Sequence, residues 1–227
     1  MNNNMGKLIV IEGPDTSGKS TLINKLKIAL PNTLISKDFI FTREPGNLLK
    51  GENSYNKSES IRTRLLTDKT LTSHEQANLF AMARYFHTLD IIKELKEGKN
   101  VIVDRYFLSS LFYQGPIIGF TEVININKNI MDTLTENNID VYNIILSINE
   151  ETYNERISRR NKDALEDVSD AIVKDRINYY NNAIKICEMY LNNCKAFNTD
   201  NMFLIDATQN AESVLLETLY CIYKIVK

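Results

Sequence analysis

Residues 13-GPDTSGKST-21 combine two glycines, a lysine and hydroxyl side chains directly after the apolar run 7-KLIVIE-12. Gly13, Gly18, Lys19 and Ser20 meet the pattern G-x-x-x-x-G-K-[ST], between a strand pattern and a helix pattern, as that motif requires. Backbone N–H groups of such a loop and of the following helix N-terminus attract phosphate. We expect this phosphate loop, residues 13–21, to bind a nucleoside triphosphate, with Lys19 at the β- and γ-phosphates and Ser20 on Mg²⁺.

The phosphate loop alone does not choose between a kinase, a GTPase and a motor ATPase. A GTPase is disfavoured because no N/T-K-x-D segment, which would read guanine, follows a strand. A second cluster, 42-TREPG-46, ends another strand pattern. Ligands of open α/β sheets bind beyond the carboxyl ends of the strands, which places Arg43 and Glu44 at the ligand edge. A surface ion pair before a proline turn is the alternative.

The segment 72-TSHEQANLFAMARYFH-87 predicts a helix with a capping box between Thr72 and Glu75. The residues expected to form its core stripe are Leu79, Met82, Phe86 and Leu89. Arg84 stands within the nearly apolar stretch FAMARYF, one turn after Phe80. A desolvated guanidinium needs an anionic partner, whereas an arginine that reaches solvent does not. Beside a phosphate loop we favour a ligand as that partner, with the Phe80 ring available to a flat base.

A third cluster, 104-DRYFLSSLFYQG-115, follows the strand pattern 100-NVIV-103. Asp104 comes just past that strand, where its carboxylate can reach a metal ion or the waters of the ion. Arg105 adds a second guanidinium. The polar side chains within the next two helical turns are Ser109, Ser110, Tyr113 and Gln114. Two arginines with these groups suit a phosphorylated base better than a protein partner.

Five short apolar runs position these clusters: 7-KLIVIEG-13, 39-FIFTRE-44, 100-NVIVDR-105, 142-YNIILSI-148 and 202-MFLIDA-207. Nearly continuous apolar runs are typical of strands buried on both faces. Helical patterns alternate with them, which predicts a three-layer α/β/α fold around a five-stranded parallel sheet. We expect one domain, with a phosphate loop, over 1–227, a loop over 46–60 that enters a helix near Ser58, and a Gly/Pro turn at 115–120.

Composition limits the remaining functions. The 27 basic and 29 acidic residues give a net charge of −2, which provides no electrostatic footprint for nucleic acid. Cys187, Cys194 and Cys221 have neither metal-ligand nor CxxC spacing and are expected to be buried, reduced thiols. No leader peptide and no apolar run near the roughly 20 residues of a membrane span is visible. We therefore expect an intracellular protein with neither a nucleic-acid nor a membrane partner.

The chain resembles the thymidylate kinases, P-loop enzymes that phosphorylate dTMP to dTDP with ATP. The matching segments are IEGPDTSGKST, TREPG, IRTRLL, LFAMAR, DRYFLSSLFYQG, ERISRR and IDATQ, in the family's order and over nearly the whole chain. The chain departs from the family's pattern in two places. One is the polar insertion 50-KGENSYNKSES-60, and the other is 163-DALED-167, which lacks the family's arginine.

The resemblance implies roles for the matching residues. Asp15 would contact the sugar 3′-hydroxyl, Phe80 would stack on thymine and Arg84 would orient the base. Tyr113 would crowd a ribose 2′-hydroxyl and so favour deoxyribose. The expected ATP-binding residues are Gly13, Pro14, Asp15, Thr16, Ser17, Gly18, Lys19, Ser20, Thr21 and Arg156. The expected dTMP-binding residues are Asp15, Arg43, Pro45, Phe80, Arg84, Arg105, Ser109, Ser110, Tyr113 and Gln114.

Residues 149-NEETYNERISRRNKD-163 place Arg156, Arg159 and Arg160 on one helix face. A solvated basic face is the alternative, because three glutamates are near. The resemblance implies a lid over about 149–168 whose arginines close on ATP. Because Thr16 stands where some members of the family carry a basic loop residue, the resemblance favours a lid arginine for catalysis, Arg160 first and Arg159 second. The expected catalytic residues are Lys19, Asp104, Arg105, Arg159 and Arg160, and the expected metal ligands are Ser20 and Asp104.

The expected reaction is ATP plus dTMP giving ADP plus dTDP, with Mg²⁺, in a cytoplasmic homodimer, as the resemblance implies. Two alternatives stay open at this point. One is a kinase of another deoxynucleoside monophosphate, or of several. The other is a regulatory protein that binds nucleotide without transferring phosphate, which the intact Lys19, Asp104 and lid arginines disfavour.

Overall fold

The computed structural model describes residues 5–33, 38–46, 48, 53–159 and 169–227, of which 53–56 are described by their backbone alone. Five strands form one parallel sheet: β1 (Leu8–Glu12), β2 (Phe39–Arg43), β3 (Asn100–Asp104), β4 (Val141–Ser147) and β5 (Met202–Asp206). Their order is β2-β3-β1-β4-β5. Leu8 of the central β1 aligns with Val101 of β3 and with Val141 of β4. The five predicted strands and their parallel pairing are confirmed.

Ten helices surround the sheet in the described residues. They are α1 (Lys19–Ala29), α2 (Asn53–Thr67), α3 (Ser73–Lys96), α4 (Phe107–Ile118), α5 (Phe120–Ile126), α6 (Lys128–Glu136), α7 (Glu150–Ser158), α8 (Asp170–Asn181), α9 (Ala183–Leu191) and α10 (Ala211–Val226). Short 3₁₀ turns occupy Leu30–Asn32, Lys195–Phe197 and Thr199–Asn201. All five residues of β1 are buried, which explains the unbroken apolar run that predicted it.

Two apolar cores lie on opposite faces of the sheet, because alternate strand residues point to opposite sides. Val10 and Val103 pack with α3, α4 and α9 on one face. Ile9 and Ile11 pack with α1 and α10 on the other. The predicted three-layer α/β/α architecture is therefore confirmed, and it is the architecture of P-loop kinases.

The turn expected at 115–120 is wrong in its first half, because α4 continues to Ile118 through Pro116. Proline opposes a helical residue before it by steric clash with that residue's Cβ, and Gly115 has none. A Cβ at Gly115 would also lie 3.0 Å from the Phe120 ring. The chain turns at Gly119, whose φ of 98° suits glycine.

The core stripe expected on α3 is also wrong. Met82 is 50% exposed, and the buried face carries Ala77, Ala81, Arg84 and Ile91 instead. Apolar residues stand on every side of the segment LFAMA, so hydrophobic periodicity could not distinguish its faces. The Thr72–Glu75 capping box is confirmed.

The start of α2 differs from the expectation, since the helix begins at Asn53 rather than near Ser58. Ser58 itself is buried, and its hydroxyl donates to the carbonyl oxygen of Gly46 at 2.7 Å. Of the three free cysteines, Cys187 is buried as expected, but Cys194 and Cys221 are only half-buried. Within the described ranges, none of the helices has the length and apolar character needed to cross a bilayer.

Candidate active site

The phosphate loop leaves β1 in a backbone conformation that its glycines permit. Gly13 has φ 152°, and a Cβ there would lie 2.7 Å from Ser17 Oγ and 2.9 Å from the Leu146 carbonyl oxygen. Gly18, with φ 95°, stands directly before α1. These positive φ values favour residues without a Cβ. The loop therefore curls tightly over the N-terminus of α1, where partial positive charge is available to phosphate.

Lys19 is buried inside this loop. Its Nζ donates to the carbonyl oxygens of Gly13 at 2.9 Å and Pro14 at 2.8 Å. Burial, followed by the charge of Arg105, lowers the pKa of Lys19 to about 7, although nearby carboxylates act in the opposite direction. The ammonium group is thus held by acceptors that a phosphate can replace, in a position where its charge is costly until a polyanion arrives.

A cavity of about 290 Å³ lies on one side of the phosphate loop. Its lining residues are Thr16, Ser17, Gly18, Thr21, Leu22, Arg156, Ala207, Gln209, Ala211 and Val214. Arg156 of α7 donates through Nη1 to the Ser17 carbonyl oxygen of the phosphate loop at 3.2 Å. Its Nη2 donates to the carbonyl oxygen of Ala207, which follows β5, at 2.6 Å. Ala207 and Gln209 were given no role from sequence, although the segment 205-IDATQ-209 could have signalled them. We call this space the donor cavity.

A second cavity, of about 380 Å³, lies on the other side of the loop. Its lining residues are Asp15, Glu44, Pro45, Leu66, Phe80, Arg84, Arg105, Tyr106, Ser109, Ser110, Tyr113 and Gln114. We call it the acceptor cavity, and all the residues expected to bind dTMP line it except Arg43. Sequence reasoning missed Leu66 and Tyr106; Leu66 belongs to the segment 61-IRTRLL-66, which matched the family but was given no role.

Arg84 is held at the wall of the acceptor cavity by protein groups. Its Nε donates to Glu44 Oε2 at 2.6 Å, and Nη1 to Asn127 Oδ1 at 2.7 Å. Its Nη2 donates to Ser110 Oγ at 2.9 Å and to the Tyr106 carbonyl oxygen at 3.2 Å. The anionic partner that a buried guanidinium needs is thus Glu44, and not a ligand alone as we had favoured. Arg84 meets the cavity in an orientation fixed beforehand.

Asp15 links the phosphate loop to the acceptor cavity. Arg105 Nη2 donates to Asp15 Oδ1 at 2.5 Å, and the Tyr113 hydroxyl donates to Oδ2 at 2.8 Å. Burial raises the pKa of Asp15, but the charges of Arg105 and Lys19 and the Tyr113 hydrogen bond outweigh it and leave that pKa below its usual value. Asp15 is therefore an ionised acceptor at the mouth of the cavity.

Arg43 lies apart from the acceptor cavity. It is exposed, and it lines a third space of about 350 Å³ together with Ser20, Thr42 and Asp104. Asp104 Oδ1 is buried there without a hydrogen-bond partner among the residues that the structure describes. A hydroxyl and an unpartnered carboxylate oxygen facing one cavity beside the phosphate loop fit Mg²⁺, which takes oxygen ligands and usually binds few protein groups. No cluster of three His, Cys, Asp or Glu side chains suited to a metal occurs in the described ranges.

The expected lid arginines differ in their placement. Arg156 contacts the phosphate loop, as described above. Arg159 is exposed, and its Nη2 lies 2.5 Å from Glu155 Oε1 of the same helix. Arg160 and the rest of the expected lid up to its end, residues 160–168, lie outside the described residues. Residues 47 and 49–52 of the loop expected over 46–60 lie outside them as well.

Comparison with known proteins agrees with this geometry. A family model described as thymidylate kinase matches residues 11–217. The thymidylate kinase of Mycoplasma mobile is 35% identical over 221 residues, covering 96% of this chain and 99% of that protein. The thymidylate kinase of Ligilactobacillus salivarius is 32% identical over 219 residues, covering 94% and 96%. These matches cover nearly the whole chain, and the phosphate loop between two cavities agrees with them. The chain therefore belongs to the thymidylate kinase family.

Proposed function

We propose that ATP occupies the donor cavity and dTMP the acceptor cavity, so that their phosphates meet across the phosphate loop. Membership of the family identifies the activity as that of a dTMP kinase, which converts ATP and dTMP to ADP and dTDP. The observation that carries the assignment of sites is the position of Arg105. Its guanidinium donates both to the Gly13 carbonyl oxygen of the loop, at 3.3 Å, and to Asp15 at the acceptor cavity.

The transfer needs no covalent enzyme intermediate. An oxygen of the acceptor phosphate attacks the γ-phosphorus of ATP in line with the departing ADP. Lys19 and Arg105 neutralise charge on the transferred group, which is the main catalytic contribution that a protein makes to this reaction. Lys19 leaves its loop carbonyl partners for the β- and γ-phosphates when ATP binds.

Kinases that use ATP generally need a divalent metal, and we propose Mg²⁺ held through Ser20 and Asp104. When bound, it neutralises charge on the β- and γ-phosphates. Asp104 contributes the unpartnered Oδ1 described above, and Ser20 its exposed hydroxyl.

The acceptor cavity supports recognition of a deoxynucleotide. Phe80 offers its ring to the base, and Arg84 presents a fixed guanidinium edge. Gln114 Oε1 is buried and has no hydrogen-bond partner in the described part of the chain, so it can accept a hydrogen bond from the base. Asp15, held by Tyr113, is placed for the sugar 3′-hydroxyl. Arg43 is assigned to the acceptor phosphate on the resemblance alone, since it stands outside the cavity.

We also propose that an arginine of the lid, residues 149–168, provides a guanidinium that neutralises charge on the transferred phosphoryl group. Arg160 is our first candidate and Arg159 our second; the outward ion pair of Arg159 with Glu155 favours that order. We also propose one domain, a homodimer and a cytoplasmic location, as is usual for the family. Support for the homodimer comes from the exposed apolar side chains of Met82 and Tyr85 on α3, which stand three residues apart.

Release of ADP from ATP·Mg²⁺ with dTMP, dUMP, dCMP, dGMP, dAMP, UMP and thymidine as acceptors tests the function. We expect a strong preference for dTMP. Activity spread over several monophosphates would keep the phosphoryl transfer and assign a broader acceptor cavity. ATP binding without transfer to any acceptor would contradict the proposal and indicate a regulatory protein.

A further inference from the structure

Glu12, the last residue of β1, has no contact with either cavity and is completely buried. Its Oε1 accepts from the backbone N–H groups of Tyr106 at 2.8 Å and Ser109 at 3.1 Å. Its Oε2 accepts from the hydroxyls of Ser109 at 2.7 Å and Tyr180 at 3.2 Å. Four donors converge on one carboxylate. A buried carboxylate is tolerated only where such donors and a positive field replace water.

The donors of Glu12 surround Arg105. The N–H groups of Tyr106 and Ser109 are two of those at the start of α4 that have no partner within the helix, at its positive end. Arg105 stands immediately before them with φ 66°, a left-handed conformation that costs a non-glycine residue about 1 kcal/mol or more. A conformation of this kind persists only where its surroundings hold it. The two N–H bonds to Glu12 fix the backbone directly after Arg105, at the start of α4.

The side chain of Arg105 depends on the same carboxylate. Its Nη1 has three acceptors: the Gly13 carbonyl oxygen at 3.3 Å, Ser109 Oγ at 3.2 Å and Tyr180 Oη at 3.4 Å. Gly13 follows Glu12 in the chain, and the two hydroxyls are the donors to Glu12 Oε2. Each hydroxyl can therefore accept from Arg105 and donate to Glu12. That direction of donation requires an acceptor-only group at position 12.

We propose that Glu12 is a positioning residue for phosphoryl transfer. It holds Arg105 in its left-handed backbone conformation and sets the orientation of the Arg105 side chain. The inference rests on the role of Arg105 in the proposed function. Glutamine at position 12 keeps the size of the side chain, and its carbonyl oxygen can still accept from both N–H groups. Its NH₂ group, however, would donate to hydroxyls that already accept from Arg105. Only one of the two hydroxyl hydrogens could then keep an acceptor, in the 3.1 Å bond between Ser109 Oγ and Tyr180 Oη.

The test is a double-mutant cycle on the full chain, with Glu12→Gln, Arg105→Met and the double variant assayed at saturating ATP and dTMP. We expect Glu12→Gln to lower kcat by about 100-fold, the scale of a catalytic group displaced by about 1 Å. We expect Arg105→Met to lower it by a factor on the order of 10²–10³. In the Arg105→Met background, Glu12→Gln should cost less than about threefold more, because residues that act as a unit are non-additive.

Glu94→Gln is the matched control. Glu94 is also a buried glutamate, paired with Lys99 at 2.7 Å on the far end of α3, and its loss should leave kcat unchanged. If Glu12→Gln does not fold, judged by its thermal unfolding, Tyr180→Phe replaces it in the cycle, since it removes one hydroxyl and keeps the ring packed on Phe112.

The results distinguish a wrong role for Arg105 from a wrong role for Glu12. If Arg105→Met retains nearly normal kcat, the role assigned to Arg105 is wrong, and the role of Glu12 falls with it. If Arg105→Met is impaired but the losses from the two substitutions multiply, only the inference about Glu12 is overturned. Losses that do not multiply, with a normal Glu94→Gln control, support it.

Discussion

Arg84 Nε lies 2.6 Å from Glu44 Oε2, and the two side chains are only 2% and 5% exposed. Glu44 comes from the end of β2 and Arg84 from the middle of α3, so this ion pair joins the sheet to the helix at the acceptor cavity. The pair is worth little as a net contribution to stability, because both charges lose their hydration. The loss of one partner is costly, because the other charge is left buried.

Glu44→Ala should therefore destabilise the fold by about 3–5 kcal/mol, the cost of an unpaired buried charge. For a chain of this size the midpoint of thermal unfolding should fall by roughly 10 °C. Glu212→Ala, which breaks the exposed ion pair with Lys25, is the control and should change the midpoint little. Equal midpoints for both variants would contradict the buried pairing.

Lys19→Ala should reduce turnover by at least a factor on the order of 10³, because it removes a charge that the transferred phosphoryl group needs. The fold should remain intact, since the hydrogen bonds of the ammonium group within the described residues all go to oxygens of the phosphate loop. The measurement is ADP release under saturating substrates, with circular dichroism as the check on folding. Near-normal turnover in a folded Lys19→Ala variant would disprove the mechanism.

Binding of ATP near pH 8 should be accompanied by uptake of a proton. With a pKa of about 7, Lys19 is mostly neutral at that pH in the free protein, and the triphosphate favours the charged form. We expect uptake of a large fraction of one proton per site at pH 8 and much less at pH 6, where Lys19 is already charged. Calorimetry in two buffers with different ionisation enthalpies measures this number directly. An enthalpy independent of buffer at pH 8 would place the pKa of Lys19 elsewhere.

Tyr113→Phe should weaken the preference for deoxyribose. The hydroxyl removed is the one that bonds Asp15, and its absence leaves room beside the sugar. We expect the ratio of kcat/KM for dTMP to that for its ribose analogue to fall by about tenfold, on the scale of one small group in a pocket. Tyr179→Phe, outside the acceptor cavity, is the control. A ratio that is the same in both variants would remove Tyr113 from sugar selection.

Arg160→Ala should lower kcat far more than it weakens dTMP binding. The loss in kcat can reach a factor on the order of 10³–10⁵, which is what an arginine supplied to such a transition state can contribute. Arg159→Ala should have a small effect, since that guanidinium pairs with Glu155 at the surface. Steady-state kinetics with both variants separates kcat from KM. A loss confined to dTMP affinity would assign Arg160 to the acceptor side instead.

The parallel sheet could be predicted from sequence because strands buried on both faces leave continuous apolar runs, as β1 does. The helical layer was less predictable. Gly115-Pro116 indicates a turn by residue type. The helix continues because Gly115 has no Cβ to clash with the proline, and the Phe120 ring packs against that glycine. Likewise, the small Ala77 and Ala81 face the core while Met82 does not, a choice that tertiary packing makes and periodicity does not reveal.

Sequence motifs identified residues that the structure brings to one cavity, as for Phe80, Tyr113 and Gln114, and their roles in binding stay predictions. Glu44 could be placed at the ligand edge but not paired with Arg84, because 40 residues separate them and nothing local links them. Glu12 was passed over as part of a strand. A carboxylate that ends an otherwise apolar strand was the available signal, since such a group needs several donors once buried.

On the proposed assignment, the phosphate loop carries Lys19 for ATP and Asp15 for dTMP, only four positions apart. For inhibitor design this means that the junction between the cavities is harder for the enzyme to alter than either cavity alone. A compound that spans the loop and engages Asp15 would face resistance substitutions that also disturb Arg105 and Tyr113. Compounds confined to the outer wall, near Leu66, would meet a surface that can change with less loss of fitness.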